Sequence, residues 1–232
     1  MPLYQRGLAI RDRLATADPG NAGGQRDLSV SHNKIGDVLV AQGDLPAALD
    51  SYKASHAIID RLATADPGNA GWQRDLSVSQ EKIGDVLVAQ GELPGALDSY
   101  KASHAIIDRL ATADPGNAGW QRDLSVSQEK IGDVLVAQGD LPAALDSYKA
   151  SLAIRDRLAT ADPGNAGWQR DLALSCGRVS MIEARQGDRD SALKALRDGR
   201  DIIARLIAQA PDNAALPKDL AWFDGKIPAL DG

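Results

Sequence analysis

The side chains best able to do chemistry are few: three histidines, one cysteine, and charged residues that return at fixed intervals. His56 and His104 stand 48 residues apart, and imidazoles repeated in this way raise the question of a shared metal. One period before His56 and one period after His104 the chain carries Leu8 and Leu152. A position that accepts leucine is a packing position. Adjacent helical repeats also lie about 8–10 Å apart, too far for two imidazoles to reach one zinc at about 2 Å each. His32 is solitary. Cys176, the sole cysteine, has no flanking motif and can form no internal disulfide, which points to a reducing cytoplasm. No Gly-rich phosphate loop, zinc-ligand helix motif or paired-cysteine cluster occurs. These residues imply a protein that is not an enzyme and uses no metal or cofactor.

Bulk composition narrows the class further. Hydrophobic residues make up 44% of the 232 residues but aromatics only 4%, so a core must be built from Ala, Leu, Ile and Val. That supply suits close helix–helix packing. A net charge of -6 argues against a nucleic-acid partner. No apolar run approaches the roughly 18 residues of a membrane span, and the first residues lack the apolar stretch of a secretion signal.

What must position the side chains is a repeat. Asp-Pro-Gly-Asn begins at Asp18, Asp66, Asp114 and Asp162, and a decayed copy follows on schedule at Ala210-Pro211-Asp212-Asn213. Segments 56–103 and 104–151 differ only at Glu92/Asp140 and Gly95/Ala143. Such units pack mainly on their neighbours. Within one unit, Leu76, Ile83, Val86 and Leu87 fall on one helix face. Gly91 stops that helix, and Glu92 (Asp44 and Asp140 in sister units) stands where an N-cap belongs, with Pro94 in the next first turn. Leu93, Ala96, Leu97, Tyr100, Ile107 and Leu110 form a second stripe, which ends before Pro115. Asn117 is placed to cap the helix that follows. Trp72, Trp120 and Trp168 recur at the start of the first helix, either closing the joint between repeats or forming an exposed stacking strip. Gly24 replaces the tryptophan in the first unit.

The string Ile83-Gly84-x-x-Leu87, then Gly91, then Ala96-x-x-x-Tyr100, with Asp114-Pro115-Gly116-Asn117 between units, resembles the tetratricopeptide repeat. The resemblance covers nearly the whole chain in four copies. Trp72 precedes Gly91 by 19 residues, where the family places it about 11 before, and Pro115 follows Gly91 by 24, where about 17 is usual. Both helices are therefore expected to be about two turns longer than the family's, near 28 Å. The resemblance implies an all-α, right-handed α-solenoid of antiparallel helix pairs, a single domain over 1–232 of bacterial type. Its expected parts are a half-repeat 1–23, helix pairs over 24–66, 72–114, 120–162 and 168–210, and a capping helix over 215–227, about ten helices in all. The chain is expected to begin inside a repeat. The divergence of 152–199 is expected of a terminal unit, with Met181 for Asp133, Arg185 for Ala137, and Asp188-Arg189-Asp190 for Asp140-Leu141-Pro142.

In this family the first helices line a concave surface that holds partner peptides. Carrying the groove positions over gives Val78, Glu81 and Asp85, then Val126, Glu129 and Asp133, and Asn33 and Asp37 with Val30 in the first unit. Val40, Val88 and Val136 continue the face. The helix extension adds Arg26, Arg74, Arg122 and Arg170. The expected ligand is a protein segment with positive groups for the carboxylates and an acidic end near the arginines. A solvated face with intra-helix ion pairs is the plainer expectation for the same residues. The function so implied is a non-catalytic protein-interaction scaffold. The alternative is a structural module that self-associates head to tail, because such contacts need not close on themselves.

Overall fold

In the computed structural model, backbone is described for residues 2–231 and side chains for 6–230. Ten α-helices and no strand occur among the described residues: α1 (Pro2–Ala17), α2 (Ala22–Ala41), α3 (Leu45–Ala65), α4 (Ala70–Gln90), α5 (Leu93–Ala113), α6 (Ala118–Gln138), α7 (Leu141–Ala161), α8 (Ala166–Arg185), α9 (Arg189–Gln209) and α10 (Leu216–Asp231). The paired helices α2–α9 run 20 or 21 residues, about 30 Å at 1.5 Å per residue, as the long repeat requires. The chain forms two compact units, Met1–Ala113 with α1–α5 and Asp114–Gly232 with α6–α10. Inside each unit, successive helices pack in pairs, and each pair packs on the next through its second helix.

The helix ends follow from local chemistry. Asn69, Asn117 and Asn165 accept the backbone N–H of Trp72, Trp120 and Trp168, and Asn21 does the same for Gly24. Asp44 and Asp140 accept from Ala47 and Ala143 ahead of a first-turn proline. Gly91 ends α4 at φ 81°, a left-handed backbone that a side chain resists. Asp66 and Asp162, each before a proline, leave the helical region with ψ near 80°.

The core mixes apolar and small polar groups. Ile83, Val86, Ala96, Tyr100 and Ile107 are buried as the stripes require, while Leu76, Leu87, Leu93, Leu97 and Leu110 are half-buried. Buried serines run alongside them: Ser77, Ser79, Ser99 and Ser103 in one unit of sequence. Ser77, Ser79 and Ser99 return their hydroxyls to carbonyls of their own helix, so burial leaves no polar group stranded there. Small side chains let the helices close until a tyrosine ring meets bare backbone. A Cβ added to Gly84 would stand 2.6 Å from the Tyr100 ring, and one added to Gly132 would stand 2.7 Å from Tyr148.

Overpacking of this kind costs about 1–3 kcal/mol, so Gly84→Ala should lower the urea midpoint clearly. Gly95→Ala copies Ala143 and meets only Leu87 at 3.4 Å, so removing a helical glycine there should hold or raise the midpoint. The two alanine variants, measured side by side, should move in these different ways.

Candidate functional site

The first helices of the pairs stand side by side within each unit, and two ladders of charge join them. In the first ladder an arginine reaches an aspartate 49 residues on: Arg26 to Asp75 at 2.6 Å, Arg122 to Asp171 at 3.2 Å, Arg170 to Asp219 at 2.6 Å. These bonds hold the Arg26 and Arg170 guanidiniums above their usual pKa. The Arg26 guanidinium also lies 5.9 Å from the Trp72 ring centre, so this half-buried tryptophan faces the joint between α2 and α4. Arg74 holds the same place on α4 and is exposed.

In the second ladder an aspartate takes two donors. Asp37 accepts from Tyr52 of its own pair at 2.8 Å and from Lys82 of the next first helix at 2.7 Å. Asp133 accepts from Tyr148 at 2.6 Å and pairs with Arg178 at 2.6 Å. Asp85 accepts from Tyr100 at 2.6 Å. Partial burial pushes Asp37 up, but the bonds from Lys82 and Tyr52 outweigh it and leave the carboxyl below its ordinary value. Burial, then the bond to the aspartate, raises Tyr52 and Tyr148 far above the usual phenol range.

Most of the sequence-derived site residues are therefore already bonded, each to a residue outside that set. Glu81 accepts from Ser103 at 3.1 Å on the inner side of α4. Asn33, its counterpart on α2, has a buried Oδ1 without a hydrogen-bond partner. Glu129 turns inward to a buried cluster: Arg155 at 2.7 Å, Arg178 at 3.4 Å and the Ser175 hydroxyl at 3.3 Å. Arg155 completes its own set with Ser125, Ser175 and the Asp171 carbonyl. This arginine escaped notice in the sequence, yet the repeat marks it, since it stands one period after the buried Ile107.

Between the ladders each unit carries its own apolar row: Val30 on α2 and Val78 on α4 in the first, and Val126 on α6, Leu174 on α8 and Trp222 on α10 in the second. Val30 and Trp222 are exposed and the other three half-buried. Of the seven large hydrophobic residues that stay exposed among the described residues, five lie on first helices: Val30, Val40, Val88, Met181 and Trp222. In the second unit the row opens into a cavity of about 530 Å³, lined by Leu174, Met181, Lys218, Trp222 and Phe223 over the Glu129–Arg155 pair.

The reactive candidates are quiet. Burial lowers the His56 pKa, with a smaller opposing pull from Asp60, and its ring bonds Ser79 at 2.9 Å and Gln80 at 3.3 Å. Burial likewise lowers His32 and His104. Cys176 is buried, and burial pushes its thiol up to about 11, where little thiolate exists at neutral pH. Among the described residues no group of three or more His, Cys, Asp or Glu side chains could hold a metal, and no helix is long and apolar enough to cross a membrane.

Two outcomes check this geometry. Removing one member of a buried ion pair strands the other at about 3–5 kcal/mol. Arg155→Ile should thus destabilise the chain in urea, and adding Glu129→Leu should recover most of the loss. For the histidines, a folded-state pKa below the unfolded value of about 6.5 gives stability that is full above that value and lost as pH falls through the folded pKa. Melting temperature should therefore drop from pH 7.5 to pH 5, and His56→Leu with His104→Leu should flatten that part of the curve.

No family model matches the chain, and no curated protein matches it in sequence. Solved structures do match its fold. BtubC (BKLC) from P. vanneervenii aligns over 99% of this chain and 85% of its own, with a TM-score of 0.66 at 15% identity. A putative kinesin light chain from Podospora anserina with nearly identical TPR-like repeats aligns over 88% and 85%, with a TM-score of 0.59 at 18% identity. The apo form of RapI aligns over 85% of this chain and 62% of its own, with a TM-score of 0.62 at 14% identity. These neighbours are TPR-like repeat proteins, and the all-α succession of packed helix pairs is the TPR-like solenoid fold.

Proposed function

We propose that the chain is a non-catalytic scaffold that holds a segment of a partner protein along its first helices. The apolar rows on the first helices, Val30 and Val78 in one unit and Val126, Leu174 and Trp222 in the other, carry this reading. A folded chain has little reason to leave its large hydrophobic residues concentrated on one set of helices unless that face meets another surface. The ladders support it in a second way. Their charges are mutually neutralised and fixed in place, so a partner laid between them meets a rigid, apolar strip with polar edges. Such a strip suits a helical or extended segment with apolar side chains at regular spacing. The TPR-like fold of the structural neighbours is consistent with this role.

The expected partner differs in charge from a ligand that pairs with the row of carboxylates. Asp37 and Asp133 already hold cations, and Glu129 is buried against Arg155. The apolar rows, not the carboxylates, are the contact.

A displayed library of random peptides selected on the wild-type chain checks this. Peptides with spaced apolar residues should be enriched, and Val78→Asp with Val126→Asp should weaken their binding at least tenfold (about 1.4 kcal/mol) while leaving the helical circular dichroism intact. Enrichment that is indifferent to both substitutions would remove the first-helix face from consideration.

A further inference from the structure

The second unit departs from the pattern of paired charges in one place. Met181 stands on α8 where Asp133 stands on α6, and it is 48% exposed. The cation that such an acid would hold is Lys226, the counterpart of Arg178, which pairs with Asp133. Lys226 instead lies with its Nζ 5.9 Å from the Trp222 ring centre. Lys218, eight residues earlier on the same helix, is exposed and forms no ion pair among the described residues.

Lys218, Trp222 and Lys226 are spaced four apart on α10, so they form one exposed stripe of cation, ring and cation. The stripe borders the cavity, whose apolar wall is Leu174, Met181 and Trp222. The other charges there are satisfied: Asp171 by Arg122, Asp219 by Arg170, and Glu129 by Arg155. What the site leaves open is thus an apolar hollow and two positive charges, on a chain whose net charge is -6.

We infer that this end of the first-helix face takes an acidic segment of a partner protein, with an apolar side chain in the cavity and carboxylates at Lys218 and Lys226. This deepens the scaffold reading and rests on it. The cavity's volume lies in the range that small ligands fill, ample for one leucine or phenylalanine side chain. The Glu129–Arg155 floor is a closed pair and leaves the apolar wall to accept that side chain.

The test uses fluorescein-labelled, end-blocked heptapeptides that differ only in the two residues flanking a central leucine, which are both Asp, both Asn or both Lys. Fluorescence anisotropy with the full chain should rank them Asp over Asn over Lys, with at least about fivefold between the extremes at low salt, narrowing as salt rises. Lys218→Glu with Lys226→Glu should reverse the order. Met181→Asp, which copies the sister residue, should weaken the Asp peptide most. All three substituted sites are exposed, so circular dichroism should match wild type. Equal affinity for the three peptides, or an acidic preference that survives the double charge reversal, overturns the inference. In that event, selected library peptides that still depend on Val78 and Val126 would leave the scaffold reading standing, whereas loss of that dependence too would remove both.

Discussion

A tyrosine ring pressed against a glycine is the contact on which the rest of the repeat depends. At Gly84 and Gly132 there is no room for a Cβ beneath Tyr100 and Tyr148. That closeness sets the distance between the two helices of a pair. It also carries the phenol to the next residue of the first helix, where Asp85 or Asp133 accepts it at 2.6 Å. The aspartate so fixed is then available to a cation on the following first helix, as with Arg178. Steric fit within a pair thereby becomes electrostatic fit between pairs. In the last pair Leu196 replaces the tyrosine and Ser180 the glycine, and the chain of consequence stops. A different ring-on-glycine contact takes over, with Phe223 and Trp222 of α10 against Gly199 and Gly177.

The ladders contribute more to register than to stability. Their members are mostly a fifth to a half exposed, and pairs of that kind are individually worth about 0–1 kcal/mol. Sliding one first helix along its neighbour by a turn, about 5.4 Å, would break every rung together. The Glu129–Arg155 pair is of another kind. It replaces an isoleucine-based contact with ions that must be matched in full, so it specifies one arrangement of α6, α7 and α8 at some cost in tolerance.

Much of the architecture was legible because the punctuation is chemical and local. Asn caps, left-handed glycines and prolines each dictate a backbone state without help from the rest of the fold, and four near-copies repeat the message. That Val78, Asp85 and their counterparts fall on the first helices was legible too, through the resemblance to the tetratricopeptide pattern. The partners of the charges on those helices were not. Arg26, Arg122 and Arg170 each precede an aspartate, and neighbouring positions on a helix point about 100° apart. Such a dipeptide can serve the helix before and the helix after at once, but periodicity along one helix says nothing about which neighbour lies within reach. The buried serines were missed for a similar reason, since hydroxyls bonded to their own helix pass for surface residues on any hydropathy scale.

The ladder spacings of 49 and 45 residues have an evolutionary consequence. Each exceeds or falls short of the 48-residue period by a small constant, so a rung is defined by position within a unit and by adjacency alone. Excising 56–103, or copying it once more, would set the same residues on both sides of every junction, because 104–151 repeats that segment with two changes. Unequal recombination within the gene would thus lengthen or shorten the protein in whole steps without inventing a contact. On the scaffold reading proposed above, the length of partner segment held would be inherited as a count of repeats.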